Sequence, residues 1–206
     1  MSTPTALVNV ALRRVGATRI NDLEADGHKE AVVARDIYTH CRKTLLNKHT
    51  WNFSIRRAQL TESATAPAFG WDNAFIIPDD FLRVVSVHPV DDDYATIPYR
   101  LANQSSDDRV IETNATTCYL RYVFDLMDVA LMPAAFQDVF ALCLAKELGA
   151  GLSKPRTLIA DIADEIRREL PRAKSIDGVE DFAEPMAEGS WVTDRGMDTA
   201  WDDGNS

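Results

Sequence analysis

An α+β fold is predicted by three patterns in this 206-residue chain. Apolar residues recur at helical spacing over the first 50 residues and again from Pro133 to Leu170. Between those ends the period falls to two, punctuated by turn residues. No helical stretch separates the strands, so they are expected to pair antiparallel. Both N-terminal and both C-terminal helices carry a face to bury, and the central sheet is too small to cover them all. They are therefore expected to join as a four-helix bundle (1–50 and 130–175) with an inserted antiparallel β domain (51–129) and an extended C-terminal arm (176–206).

The first helix opens at Ser2-Thr3-Pro4, a hydroxyl cap followed by proline at a first-turn position, and Gly16 stops it. Its buried stripe is Val8, Ala11, Leu12 and Val15. Asp26 is the expected cap of a longer helix over about Gly27 to Lys48, with Ala34, Ile37, Tyr38, Cys41 and Leu45 facing inward. Strands are expected at Trp51–Leu60, Ala74–Ile77, Leu82–Pro89, Thr96–Ala102, Arg109–Thr113 and Thr117–Phe124 as an antiparallel meander or small sheet. Helix resumes at Pro133, breaks at Gly149–Gly151, and restarts behind a Ser153 cap, with Pro171 expected to end or kink it near Glu169.

Charge is unevenly placed. The formal net charge is −10, yet Ile176 to Ser206 holds nine acids and one base, leaving residues 1–175 at −2. Such a balance argues against a protein that grips duplex DNA by neutralising phosphates. No apolar run reaches the ~20 residues a bilayer-spanning helix needs. The opening MSTPTALVNVALRR lacks the pattern of a signal peptide. Cys41, Cys118 and Cys143 lie far apart in apolar segments and read as buried reduced thiols.

Chemistry finds little purchase. His28, His40, His49 and His88 show no metal-ligand spacing, and no phosphate-cradling loop or nucleophile elbow is present. Asp91-Asp92-Asp93 reads as a solvated turn, because it lacks the alternating ligands of a calcium loop. No catalytic, cofactor or metal residue is predicted. Arg42, Lys43 and Lys48, with Arg56 and Arg57 across the helix–strand junction, form a basic cluster; Arg42, Lys43, Arg56 and Arg57 are the candidate contacts to another subunit. Trp51 and Phe53 sit at that junction as a structural seam. Beyond Ser175 aliphatics are scarce, so Phe182, Trp191 and Trp201 are candidate anchors for a partner's surface. The segment 176–206 is expected to be dispensable for folding, because the core stripes lie upstream.

Four stretches, taken in order, resemble one family. They are VNVALRRVGATRINDL (Val8–Leu23), EAVVARDIYTHCRKTLLNKHTWNFSIRRAQL (Glu30–Leu60), GWDNAFIIPDDFLRVVSV (Gly70–Val87) and YLRYVFDLMDVALMPAAFQDVFALCLAKELG (Tyr119–Gly149). Together they are similar to the tail tubular protein A type of head-to-tail adaptor from short-tailed bacteriophages. The resemblance implies a virion protein without catalysis or cofactor, assembled in the host cytoplasm. It implies a dodecameric ring beneath the portal protein that continues the DNA channel toward a tail nozzle protein, touches passing DNA non-specifically and involves no membrane. It also implies a C-terminal segment that grips the portal; the acidic arm here departs from the more basic tail expected of the family. A head-completion or stopper protein of a long-tailed phage is the neighbouring reading, and an intracellular enzyme or DNA-binding regulator the more distant one.

Overall fold

The computed structural model describes residues 3–91, 95–104 and 109–179. The expected turns at Asp92-Asp93 and 105–108, and the arm residues Phe182, Trp191 and Trp201, lie outside those ranges.

Four helices and two three-stranded antiparallel sheets make a mixed α+β architecture. Helix α1 (Pro4–Arg14) begins as its sequence suggests: the Thr3 side chain accepts the Ala6 N–H at 3.1 Å, and Pro4 occupies the first turn. It ends in a Schellman motif, with Gly16 at φ +60° and the Ala17 N–H reaching back to the Leu12 carbonyl at 2.9 Å. Helix α2 (Lys29–Asn47) has His28, not Asp26, at its capping position. Asp26 instead accepts the backbone N–H groups of Asn21 and His28, bracing the loop that leads in. Arg35 clamps the same loop from α2 through the Leu23 and Asp26 carbonyls.

Helix α3 (Ala134–Gly151) is buried over most of its surface and packs against α1, α2 and α4 (Arg156–Val179), which makes it the core helix. Its glycines lie inside the last turn rather than breaking it. A Cβ on Gly151 would come within 2.6 Å of Val33 on α2, and one on Gly149 within 3.0 Å of Ile159 on α4. Ser153, expected as a cap for α4, instead takes φ 54° and closes α3 in a second Schellman motif, with the Lys154 N–H on the Gly149 carbonyl at 2.8 Å.

Pro171 does not end the helix, and α4 runs on to Val179. The proline and Arg167, whose carbonyl loses its partner, are both on the exposed side where water can satisfy that group. Beyond the proline, Ala173 and Asp177 are buried against the body. The start of the expected arm at residue 176 therefore belongs to a helix.

Strands β1 (Ile55–Gln59), β6 (Tyr119–Phe124) and β3 (Phe81–His88) form one sheet, in that order. Strands β2 (Asn73–Ile76), β5 (Arg109–Thr113) and β4 (Arg100–Asn103) form the other. This order is not a meander, because two segments each serve both sheets. Past β1, the Leu60 N–H bonds Cys118 and then Thr61 and Ser63 pair with Ile76 and Ala74 of β2, each at 2.8 Å. On the other side, the Ile97 N–H bonds the Val87 carbonyl of β3 at 3.0 Å before the chain enters β4. Pro98, which has no N–H to give a ladder, explains why β4 starts later than its sequence pattern suggests. These bonds tie the two sheets together through the segments that follow β1 and precede β4. One continuous apolar core runs from the helices through both sheets.

Candidate interaction surface

The junction between α2 and β1 is held from several directions. After α2 the chain turns through a 3-10 segment at Asn52–Ser54 instead of entering a strand at Trp51, because the Ser54 N–H and hydroxyl both bond the Trp51 carbonyl. Trp51 is 1% exposed and donates its indole N–H to the Leu45 carbonyl at 3.1 Å. Its ring meets Phe136 of α3 edge-on at 5.1 Å and Phe53 at 5.9 Å, and Phe53 meets Phe136 at 4.9 Å. Such edge-to-face contacts add to the burial itself. Asp177 of α4 then accepts the Asn52 N–H at 3.1 Å, while the Asn52 side chain donates to the Asp177 carbonyl at 2.6 Å. The seam residues Trp51 and Phe53 join α2, α3, α4 and the sheet; they offer no reactive group.

The four candidate contact residues part company. Arg42 is only 6% exposed and makes a bidentate pair with Asp125 at 2.9 and 3.0 Å. It is an internal tie between α2 and the end of β6, which removes it from the surface set. Its neighbour Lys43 remains half exposed, 3.6 Å from the same carboxylate. Arg56 pairs with Asp80 and lies 3.8 Å over the Phe124 ring. Asp80 also accepts the Tyr122 hydroxyl at 3.0 Å; burial first and that bond second push the phenol up to about 12.

Arg57 points to the outer face of the β1-β6-β3 sheet. There it lies directly opposite Arg121, with Ser86 completing the row on β3. Gln59, Tyr119 and His88 form the next row, and Val123 with Arg83 the previous one. Like charges placed directly across a ladder repel. An open groove of about 400 Å³ is lined by Arg57 and Arg121 and by the Gln59, Tyr119 and His88 row, with Asp91 at its rim. The Nε atoms of Arg83 and Arg121 are buried and find no hydrogen-bond partner. Sequence reasoning singled out Arg57 but missed Arg83 and Arg121. The signal that could have found them is strand alternation, once β6 is known to pair with both β1 and β3.

A second opening of about 280 Å³ lies among α2, α3 and α4, lined by His40, Cys41, Lys48, Cys143 and Lys146. Burial raises both thiols, Cys41 to about 12, so neither is activated for nucleophilic chemistry. Among the described residues, no three His, Cys, Asp or Glu side chains gather where they could hold a metal ion. No helix among them is long and apolar enough to cross a membrane.

No protein-family model matches the chain, nor does any curated protein.

What stays on the surface is apolar at particular places. Phe69 is 85% exposed in the loop between β1 and β2, and Met127 and Leu131 stand out between β6 and α3. Ile176 and Val179 are exposed at the end of α4. Ile176 flanks a shallow hollow floored by Trp51, Phe53 and Phe136. Exposed apolar side chains of this kind can meet the surface of another protein.

Proposed function

We propose that this chain is a ring-forming structural subunit of a bacteriophage connector, a head-to-tail adaptor seated under the portal and extending its DNA channel. The observation that carries the reading is the apolar end of α4 beside the seam: Ile176 and Val179 are exposed where the acidic arm leaves the helix, and Ile176 flanks the hollow over Trp51, Phe53 and Phe136. Exposed apolar side chains beside a charged arm favour a subunit built for assembly. The ordered resemblance of four stretches to tail tubular protein A supplies the kind of assembly. In this reading the four helices act as one bundle, Lys43, Arg56 and Arg57 meet the neighbouring subunit, and Phe182, Trp191 and Trp201 anchor the arm on the portal. The acidic balance suits a conduit that must let DNA pass without gripping it. The chain would act in the virion and involve neither catalysis nor a cofactor.

Electron microscopy and native mass spectrometry of the full chain mixed with its cognate portal test this. A ring-shaped oligomer seated on the portal is expected. A strictly monomeric chain that ignores the portal overturns the proposal.

A further inference from the structure

We infer that the opening among α2, α3 and α4 takes the indole of Trp201 from the same chain, with Asp202 and Asp203 beside the lysines at its mouth. The pocket holds about 280 Å³ and its inner wall is apolar: Leu45 and Cys41 of α2 are buried, and Cys143 of α3 with Ala163 and Ile166 of α4 are half-buried. An apolar slot with a few polar groups at its edge suits an aromatic side chain that carries one polar atom. Lys48 and Lys146 also line the pocket, near enough to both thiols to act on their charge. Glu147, the one acid among the lining residues, is held by Lys146 at 3.0 Å, so the mouth stays positive on balance. The sequence supplies the matching ligand. Past Arg195 the chain carries Asp198, Asp202 and Asp203 and no base, and Trp201 directly precedes two of those carboxylates. Trp191 has no charged residue within two positions on either side.

Reach favours the same chain over a second copy. Helix α4 passes the pocket at Ala163 and Ile166 and ends at Val179, about 20 Å farther along its axis. The 22 residues from Glu180 to Trp201 can extend to about 75 Å, well beyond that return path. A tether of this kind holds its end near its own pocket at an effective concentration on the order of millimolar, far above that of a second copy in dilute solution. The inference needs neither the ring nor the portal. With a portal present, the pocket and the partner compete for Trp201, so the adaptor role and this docking stand or fall separately.

Cys143 reports directly on the pocket. Its alkylation by N-ethylmaleimide in the isolated, dilute full chain is followed by mass spectrometry of the cysteine-bearing peptides, with the buried Cys118 on the sheet as the reference. Trp201→Ala is expected to speed alkylation of Cys143 severalfold, and Asp202→Lys combined with Asp203→Lys to speed it at low salt, while Trp191→Ala leaves it unchanged. A peptide of residues 196–206, added at millimolar concentration, should slow the reaction again in the Trp201→Ala chain. Equal rates in the unaltered and Trp201→Ala chains overturn the inference. So does a matching acceleration by Trp191→Ala, which denies Trp201 its special place. Acceleration at Cys118 as well as Cys143 overturns it in favour of a general loosening of the body. Protection of Cys143 that strengthens with protein concentration overturns docking on the same chain in favour of a second copy.

Discussion

Arg42 and Asp125 show how one residue's role turns on burial. In sequence, Arg42 is one of several cations on a charged helix; in the structure it is sealed against a carboxylate that lies 83 residues away. Removing one partner strands the other without water. Asp125→Asn is expected to lower stability by about 3–5 kcal/mol, read by urea denaturation, while the double change Arg42→Met with Asp125→Leu should recover most of that loss. His49 gives a second test. Its imidazole lies among Lys174, Arg83 and Asp177, and burial, then Lys174, lower its affinity for a proton below that of an ordinary histidine. The unfolded chain therefore binds the proton more readily. The stabilising effect of the neutral ring is complete above about pH 6.5 and is lost as pH falls from there through the lowered folded-state value. Melting temperatures at pH 5 and pH 7 should differ by less in His49→Gln than in the unaltered chain.

At the scale of elements, helices and strands were legible in sequence, and their ends were less so. Amphipathic spacing finds α1 and α2, and alternation finds each strand within a few residues. Pro171 misleads, because local rules cannot see that the Arg167 carbonyl it leaves unpaired lies on the exposed side while Ala173 and Asp177 are buried farther along the helix. Ser153 misleads in the opposite sense, because a serine reads as the start of a helix when it is finishing one. The arginine face was hidden for a different reason: Arg57 and Arg121 are neighbours only because β6 lies between β1 and β3, a pairing no local pattern reveals. The end of α4 carries the clearest consequence. Removing 180–206 should change the thermal melt little, since docking that slows alkylation severalfold is worth only about 1 kcal/mol. Removing 176–206 also takes Asp177 from the Asn52 N–H and uncovers the Trp51 hollow, so a clearly lower melting temperature is expected, contrary to the dispensability that composition alone suggests.

At the scale of the molecule, the helices converge on one member. Convergence on α3 has a consequence in time. Helices α1 and α2 are complete by Asn47, yet the helix both must cover begins at Ala134. At about 5–20 residues per second, a ribosome needs on the order of 10 s to deliver it. During that interval the stripes of Leu7, Leu12, Ala34 and Leu45 have no native surface to meet. The N-terminal half is thus expected to expose its apolar stripes throughout the synthesis of the β region, and to gain its native packing only once α3 has left the exit tunnel.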